Sequence, residues 1–335
     1  MKMIETTKTN SGMRLLEEFA ASLVEDLISN QRHGTARAYM SSIRRLAGFA
    51  GNHTITFDRI TPAFLKSYEQ HLVATGCRRN TVSLYLRMLR SICNQAVQQG
   101  LMEMSSTLFE EVFTGTDTAE KRAVDTSVIR TIREADLRKH PSLEKSRDVF
   151  LLSFYLRGIP FVDLIRLKKT DVSKGVIRYR RSKTGRLLTV QIEPCAQEIL
   201  RKYASSRKGS AYLLPFVTED GELGYRQYQN ALRCYNLHLQ KLSDLLNLKV
   251  NLTSYVARHS WATAAYRQGV PVAIISESLG HASEKVTYTY LAAFENKTLS
   301  KANRSVISLV MEKRHKDLSR VKRRKSFKWK PVAYE

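Results

Sequence analysis

The first hundred residues alternate helix-period stretches with glycine stops, and this punctuation constrains the fold more than any other feature of the chain. Residues 14–31 set Leu, Phe, Ala and Val at the three-and-four spacing of one helix face. Residues 35–51 repeat the pattern and stop at Gly51. Thr61 is placed to cap a third helix from Pro62 to about Ala74, with proline in the first turn where its missing N–H costs nothing, and Gly76 ends it. Asn80 can cap a fourth helix that runs to Gly100. Apolar stripes of this width must bury against one another, so the pattern predicts a helical domain.

From Glu103 to Arg122 the periodicity fades into TGTDTAEKRA, a polar stretch that reads as a linker, and 335 residues are enough for two domains. Helical spacing returns over 127–135 and 143–156, the second run apolar on most faces as in a buried core helix. VSKGVIRYRRSKTGRLLTVQI then alternates apolar and polar positions around a Lys-Thr-Gly turn, the pattern of a β-hairpin. Arg181 and Lys183, two apart near its tip, are expected on one face. Further helices are expected after Pro194, over Tyr225 to Leu246, over 251–268 with Thr253 or Ser254 as cap, and over PVAIISESLG. Tyr255, Arg258 and Ala262 are expected to share a face of the 251–268 helix. The class is mainly α with a small antiparallel β-sheet.

The chain carries 55 Lys and Arg against 31 Asp and Glu, a formal net charge of +24. A field of that sign points to nucleic acid as partner, because each neutralised phosphate releases counterions. Arg37, Arg44, Arg45, Arg78, Arg79, Arg87 and Arg90 decorate the helical domain and together suit a phosphate backbone. The four cysteines are scattered with no CxxC, which excludes a disulfide framework or zinc site and fits a reducing cytoplasm. No run is apolar enough to span a bilayer, and the first residues hold no apolar signal core. No ATP or metal motif is present, so no cofactor is expected.

Leu279-Gly280-His281 is followed nine positions on by Tyr290, which sets an imidazole and a phenol within reach of one cleft. Ahead of it come the basic hairpin and the phrase Ala257-Arg258-His259-Ser260-Trp261-Ala262-Thr263. In this order the residues resemble the tyrosine recombinase (phage integrase) family. The phrases SFYLRGIPFVDLIRLKKTDV, TSYVARHSWATAAYRQGV and LGHASEKVTYTYLAAFEN are most similar to integrases and DNA invertases of Bacteroides-type mobile elements. The resemblance implies four parts. Residues 1–105 would be a helical core-binding (SAM-like) domain, 106–121 a linker, 122–311 the catalytic domain and 312–335 a basic C-terminal tail.

It also implies roles. Tyr290 would be the nucleophile, Arg258 a bidentate ligand of the scissile phosphate, His281 a second donor, and Lys183 the acid for the leaving 5′-oxygen. The order of chemistry agrees. A phenol that ionises at ~10 must lose its proton as it attacks, and the charge gathering on the phosphoryl oxygens needs several donors.

Two positions depart from the family pattern. Gly158-Ile159-Pro160-Phe161-Val162-Asp163-Leu164 puts Pro160 where most members have a catalytic arginine. Arg181 is the preferred replacement, with Arg157 as the alternative. Tyr255 stands where the family has histidine; a phenol can donate to phosphate but is a poor base near neutrality. Tyr288 is the rival nucleophile, but on a helix it would point away from the side of Tyr290. His259 reads as a helix contact and Trp261 as core.

The helix after Tyr290 suits docking on a neighbouring protomer or burial in its own chain, and the tail around Phe327 and Trp329 suits extra DNA contact or a solvated state. The implied partners are double-stranded DNA with inverted-repeat core sites, a homotetramer at synapsis and accessory DNA-bending proteins. The implied function is site-specific recombination through a 3′-phosphotyrosyl intermediate. The alternatives are a DNA-binding regulator on the same fold, or a topoisomerase-like relaxing enzyme.

Overall fold

The computed structural model describes residues 15–51, 53–117, 122–204, 209–291, 300, 303–304 and 306–308. The chain forms two units, residues 1–291 and 292–335. In the second, the described residues are helical; the basic tail 312–335, with Phe327 and Trp329, lies outside the described residues.

The glycine-punctuated stretch folds as expected into α1 (Leu16–Ser29), α2 (His33–Ala50), α3 (Pro62–Ala74) and α4 (Arg79–Gln98). Their apolar stripes meet in one core around Leu16, Leu46, Tyr68, Leu86 and Ile92. Thr61 caps α3 as predicted, its Oγ1 accepting from Phe64 N at 3.2 Å. Asn80 does not cap α4. It lies in the first turn, and its amide exchanges two hydrogen bonds with the Asp117 backbone, at 2.7 and 2.9 Å.

That exchange belongs to a wider clamp. Leu108, Phe109 and Val112 are buried in the first core, within the stretch read as linker. Glu69 accepts from Phe113 N at 2.8 Å. Arg79 stacks on Phe113 at 4.3 Å and Arg90 faces Phe109 at 5.7 Å. These two arginines therefore help to seat the segment, and Arg45 donates to Thr75 Oγ1 at 3.1 Å. Arg37 and Arg44 instead border a cleft of about 370 Å³ between α2 and α9 (Gly221–Leu245).

The second core is built on α6 (Pro141–Tyr155), whose Val149, Phe150, Leu151 and Leu152 are all buried. α5 (Thr126–Glu134) and α8 (Pro194–Ala204) pack on it, as does α9. The expected hairpin is present as β2 (Val176–Arg180) and β3 (Leu187–Gln191), in antiparallel register Tyr179↔Leu188 and Ile177↔Val190. A short β1 (Val172–Ser173) on the β2 side completes a three-stranded sheet. Alternate residues Ile177, Tyr179, Leu188 and Val190 are buried, which fixes the register.

A third, smaller cluster joins α10 (Val256–Arg267), α11 (Val272–Leu279) and α12 (Glu284–Tyr288) through Ala262, Ile275, Leu279 and Leu291. Neither Thr253 nor Ser254 caps α10. Tyr255 occupies the N-cap position without a capping bond, and Ser254 N donates to Asn236 Oδ1 at 2.8 Å. Among the described residues, no helix is long and apolar enough to cross a membrane.

Candidate active site

Two turns with positive φ bring the second and third clusters together. The first follows α6, where Arg157 and Gly158 take positive φ, +58° and +69°. A Cβ on Gly158 would lie 2.8 Å from Arg258 Cα, closer than real Cβ contacts come. Only glycine lets α10 approach this closely, and Gly158 O then accepts from Arg258 Nη1 at 2.8 Å. Gly158→Ala is therefore expected to cost about 2 kcal/mol, from the backbone conformation and the forced displacement of α10. Denaturant unfolding measures it.

The second turn is Gly280, left-handed at φ +65° after α11. A Cβ there would meet Arg181 Cδ and Leu188 Cδ1, both at 3.0 Å. The sheet tip is tied to the same turn. Thr184 Oγ1 donates to Gly280 O at 3.2 Å and Arg186 Nη1 to His281 O at 3.1 Å.

Arg258 is 1 % exposed and is the largest fully buried side chain described. Besides Gly158 O, its Nη2 donates to Leu279 O at 2.6 Å and to His281 Nε2 at 2.9 Å. Burial first, and then the charge of Arg181, push its pKa down to about 10, which leaves it a cation at neutral pH. Its Nε is buried with no acceptor.

Arg181 is also buried, beside Arg258. It lies 3.9 Å from Asp163 Oδ2, and its Nε has no hydrogen-bond acceptor. Asp163 in turn accepts from Ser182 N at 3.0 Å and from the Ser182 hydroxyl. Neither guanidinium Nε–H has a hydrogen-bond acceptor, although Asp163 pairs loosely with Arg181 and the Tyr290 hydroxyl interacts with Arg258; two such buried cations suit an anion.

His281 is buried with both ring nitrogens engaged. A guanidinium can only donate, so Nε2 accepts from Arg258 and the ring proton sits on Nδ1, 2.8 Å from Thr287 Oγ1. Burial, then the charges of Arg258, Arg181, Lys183 and His259, push its pKa down to about 3, so the ring is neutral.

Tyr290 follows the end of α12. Its ring stacks on His259 at 4.3 Å, approaches His281 at 4.8 Å, and lies 5.7 Å from Arg258 Cζ. Tyr288 is 55 % exposed, on the other side of the short helix.

Lys183 sits exposed in the turn. Strand alternation, the basis for expecting it on one face with Arg181, stops at Arg180, and the turn closes with Gly185 N donating to Arg181 O at 2.8 Å, but both residues still act on His281. Tyr255 stands at the N-cap of α10 with helical dihedrals, 45 % exposed where Arg258 is buried, its ring 6.4 Å from His259. Pro160 is buried as the N-cap of α7 (Phe161–Leu164) and offers no donor. Arg157 lines a groove with Leu187 and Ile274, its Nη1 donating to Thr189 O at 3.5 Å.

Gly158, Asp163 and Thr287 hold the site together without any local pattern that singles them out, and His259, expected as a helix contact, stacks on Tyr290. The only sequence signal for Thr287 was its place inside the LGH-to-tyrosine run.

The class defined by this layout is a DNA strand transferase with a tyrosine beside a cluster of buried cations. Family comparison agrees. Residues 15–111 match the phage integrase SAM-like domain and residues 124–297 match the phage integrase family. The chain belongs to the phage integrase family, the tyrosine recombinases.

It is similar to tyrosine recombinase XerC of Agrobacterium fabrum, 24% identical over 251 residues that make up 74% of this chain and 79% of the relative. Tyrosine recombinase XerA of Thermococcus kodakarensis is 26% identical over 287 residues, 82% of this chain and 89% of the relative. Among solved structures, a lambda integrase dimer bound to a COC′ core site has TM-score 0.62 at 16% identity, over 83% of this chain and 95% of that one. A lambda integrase tetramer bound to a Holliday junction has TM-score 0.61 at 15% identity, over 84% of this chain and 78% of that one. Identities this low establish the shared fold.

Proposed function

We propose that this protein is a site-specific DNA recombinase in which Tyr290 cuts and rejoins DNA strands. The observation that carries the reading is the Tyr290 ring lying against His281 and within 5.7 Å of Arg258 Cζ, beside two buried guanidinium N–H groups that lack acceptors. Tyr290 Oη attacks the scissile phosphorus. The Oη–P bond forms and the P–O5′ bond breaks; the phenol proton leaves to water, and Lys183 protonates the departing 5′-oxygen. The 3′-phosphotyrosyl ester keeps the phosphodiester energy, so a 5′-hydroxyl from another strand reverses the steps without ATP. Arg258, Arg181 and His281 hold the phosphoryl oxygens. Tyr255, exposed at the start of α10, supplies a further donor once DNA is bound.

On this reading residues 1–105 form the core-binding domain, 106–121 a linker whose described part packs on that domain's core, 122–311 the catalytic domain and 312–335 a basic tail. The partner is double-stranded DNA with inverted-repeat core sites, bound by four copies at synapsis. The lambda integrase tetramer on a Holliday junction supports that stoichiometry. The quoted phrases favour a Bacteroides-type mobile-element integrase or invertase acting on cytoplasmic DNA.

The test is a suicide duplex, nicked so that the cleaved end diffuses away. Wild-type protein accumulates a covalent adduct that maps to the Tyr290 peptide. Tyr290→Phe gives none, and Tyr288→Phe retains it. An adduct on Tyr288 would overturn the nucleophile assignment. Site-specific binding with no adduct would make the protein a DNA-binding regulator, and relaxation of any supercoiled plasmid a topoisomerase.

A further inference from the structure

We propose that Thr287 is the positioning residue for His281: its hydroxyl accepts the Nδ1 proton, fixes the ring, and leaves Nε2 as the nitrogen that donates to the scissile phosphate. This rests on the recombinase reading above. Thr287 is fully buried, one of the few polar side chains so placed. Its Oγ1 lies 2.8 Å from His281 Nδ1, and its backbone carbonyl accepts from Tyr290 N at 2.9 Å. One residue therefore sets both the ring of the donor and the backbone of the nucleophile.

The hydrogen-bond logic assigns the direction. Arg258 has no acceptor, so it forces Nε2 to accept and Nδ1 to carry the proton. Phosphate oxygens also only accept. When one meets Nε2, that nitrogen must carry a proton of its own, and Nδ1 is already protonated against Thr287. With Thr287 kept as the acceptor, the ring that holds phosphate is an imidazolium, its extra proton taken from solvent; a neutral ring would need the Thr287 hydroxyl to turn and donate to Nδ1.

The charged and titratable groups facing the ring are Arg258 and His259 of α10, Arg181 and Lys183 of the sheet tip, and Tyr290. The cations among them oppose the second proton until the phosphate brings negative charge. Thr287 keeps the ring in place through that change, as the acceptor of one N–H in both states.

Single-turnover cleavage of suicide duplexes tests this across the range in which imidazole titrates. Two leaving groups are compared, the natural 5′-oxygen and a bridging 5′-sulfur that needs no proton from Lys183. Thr287→Val, isosteric but without the hydroxyl, is expected to cleave both substrates roughly 10- to 100-fold more slowly, the worth of a hydrogen bond to a charged group. The alkaline limb on the sulfur substrate should move to lower pH, because the imidazolium has lost an acceptor. Thr287→Ser should restore rate and limb, and DNA affinity should stay near wild type.

The proposal falls if Thr287→Val matches wild type, if sulfur rescues it, or if Thr287→Ser is as slow as Thr287→Val, which would make the role one of packing. Nitrogen-15 NMR of DNA-free wild type, independent of any variant, must find His281 protonated on Nδ1; a proton on Nε2 overturns the proposal. Wild-type protein that forms no adduct fails the nucleophile reading instead, while a Thr287→Val that is silent on a cleavable substrate fails this inference alone.

Discussion

Arg258→Ala is expected to lower adduct formation on a suicide duplex by about 10³-fold or more, the effect of removing a fixed donor from a developing oxyanion and the charge behind it. The loss has a second component. Arg258 donates to Gly158 O, Leu279 O and His281 Nε2, and its side chain fills the space between α6, the sheet tip and α11. Alanine leaves those buried acceptors unpaired, at about 1–3 kcal/mol for each one that water cannot reach. Denaturant unfolding should therefore report a clear destabilisation as well.

Arg258→Lys separates the two components. It keeps the charge but not the fork, so it can serve some of the three acceptors or the phosphate, not all together. Its cleavage should fall between alanine and wild type, roughly 10- to 100-fold down. Salt dependence provides the control: the slope of log K against log salt should drop by about one phosphate contact at most in either variant. If Arg258→Ala binds normally and cleaves at the wild-type rate, Arg258 does not touch the phosphate.

Much of this site was legible because its residues lie in local phrases. His281 and Tyr290 share one run, Arg258 opens the helix before it, and Gly280 marks the turn between. The helical domain was legible for a similar reason, since glycine stops and stripe spacing are local signals. What was not legible depends on how distant segments meet. Gly158 is indispensable because α10 passes within 2.8 Å of the Cβ it lacks, which no local pattern announces.

Asn80 has the chemistry of a cap, but the Asp117 backbone competes for its amide. Lys183 and Arg181 obey strand alternation only while the strand continues, and it stops at Arg180. His259 sits one residue after Arg258, a spacing that should send it elsewhere on the helix, yet both side chains meet Tyr290, which follows the last turn of α12. The spread of arginines over the first domain looked like one DNA-facing set. Arg79 and Arg90 turned out to hold Phe113 and Phe109.

Arg181→Ala is expected to reduce cleavage by about 10²- to 10³-fold, and Arg157→Ala to leave it near wild type. The argument begins at Pro160, which occupies the usual arginine position and carries no charge. A phosphoryl transition state held by Arg258 and His281 alone would lack one cation on its oxygens. Arg181 is buried beside Arg258 closely enough to depress its pKa, and its Nε makes no hydrogen bond, only a loose ion pair with Asp163. Two like charges in a buried site repel, and an anion bound between them relieves both together.

Asp163, 3.9 Å away, offsets part of that charge and anchors the turn through Ser182, without a hydrogen bond to Arg181 Nε. Arg157 has no such setting: it is not buried, it lines a groove with Leu187 and Ile274, and its Nη1 donates to Thr189 O at 3.5 Å. Removing Arg181 also removes a repulsion from the DNA-free protein, so Arg181→Ala should be destabilised less than Arg258→Ala even as its chemistry fails. Arg181→Lys should recover part of the rate through charge alone. A wild-type rate in Arg181→Ala, or a large loss in Arg157→Ala, would assign the missing cation elsewhere.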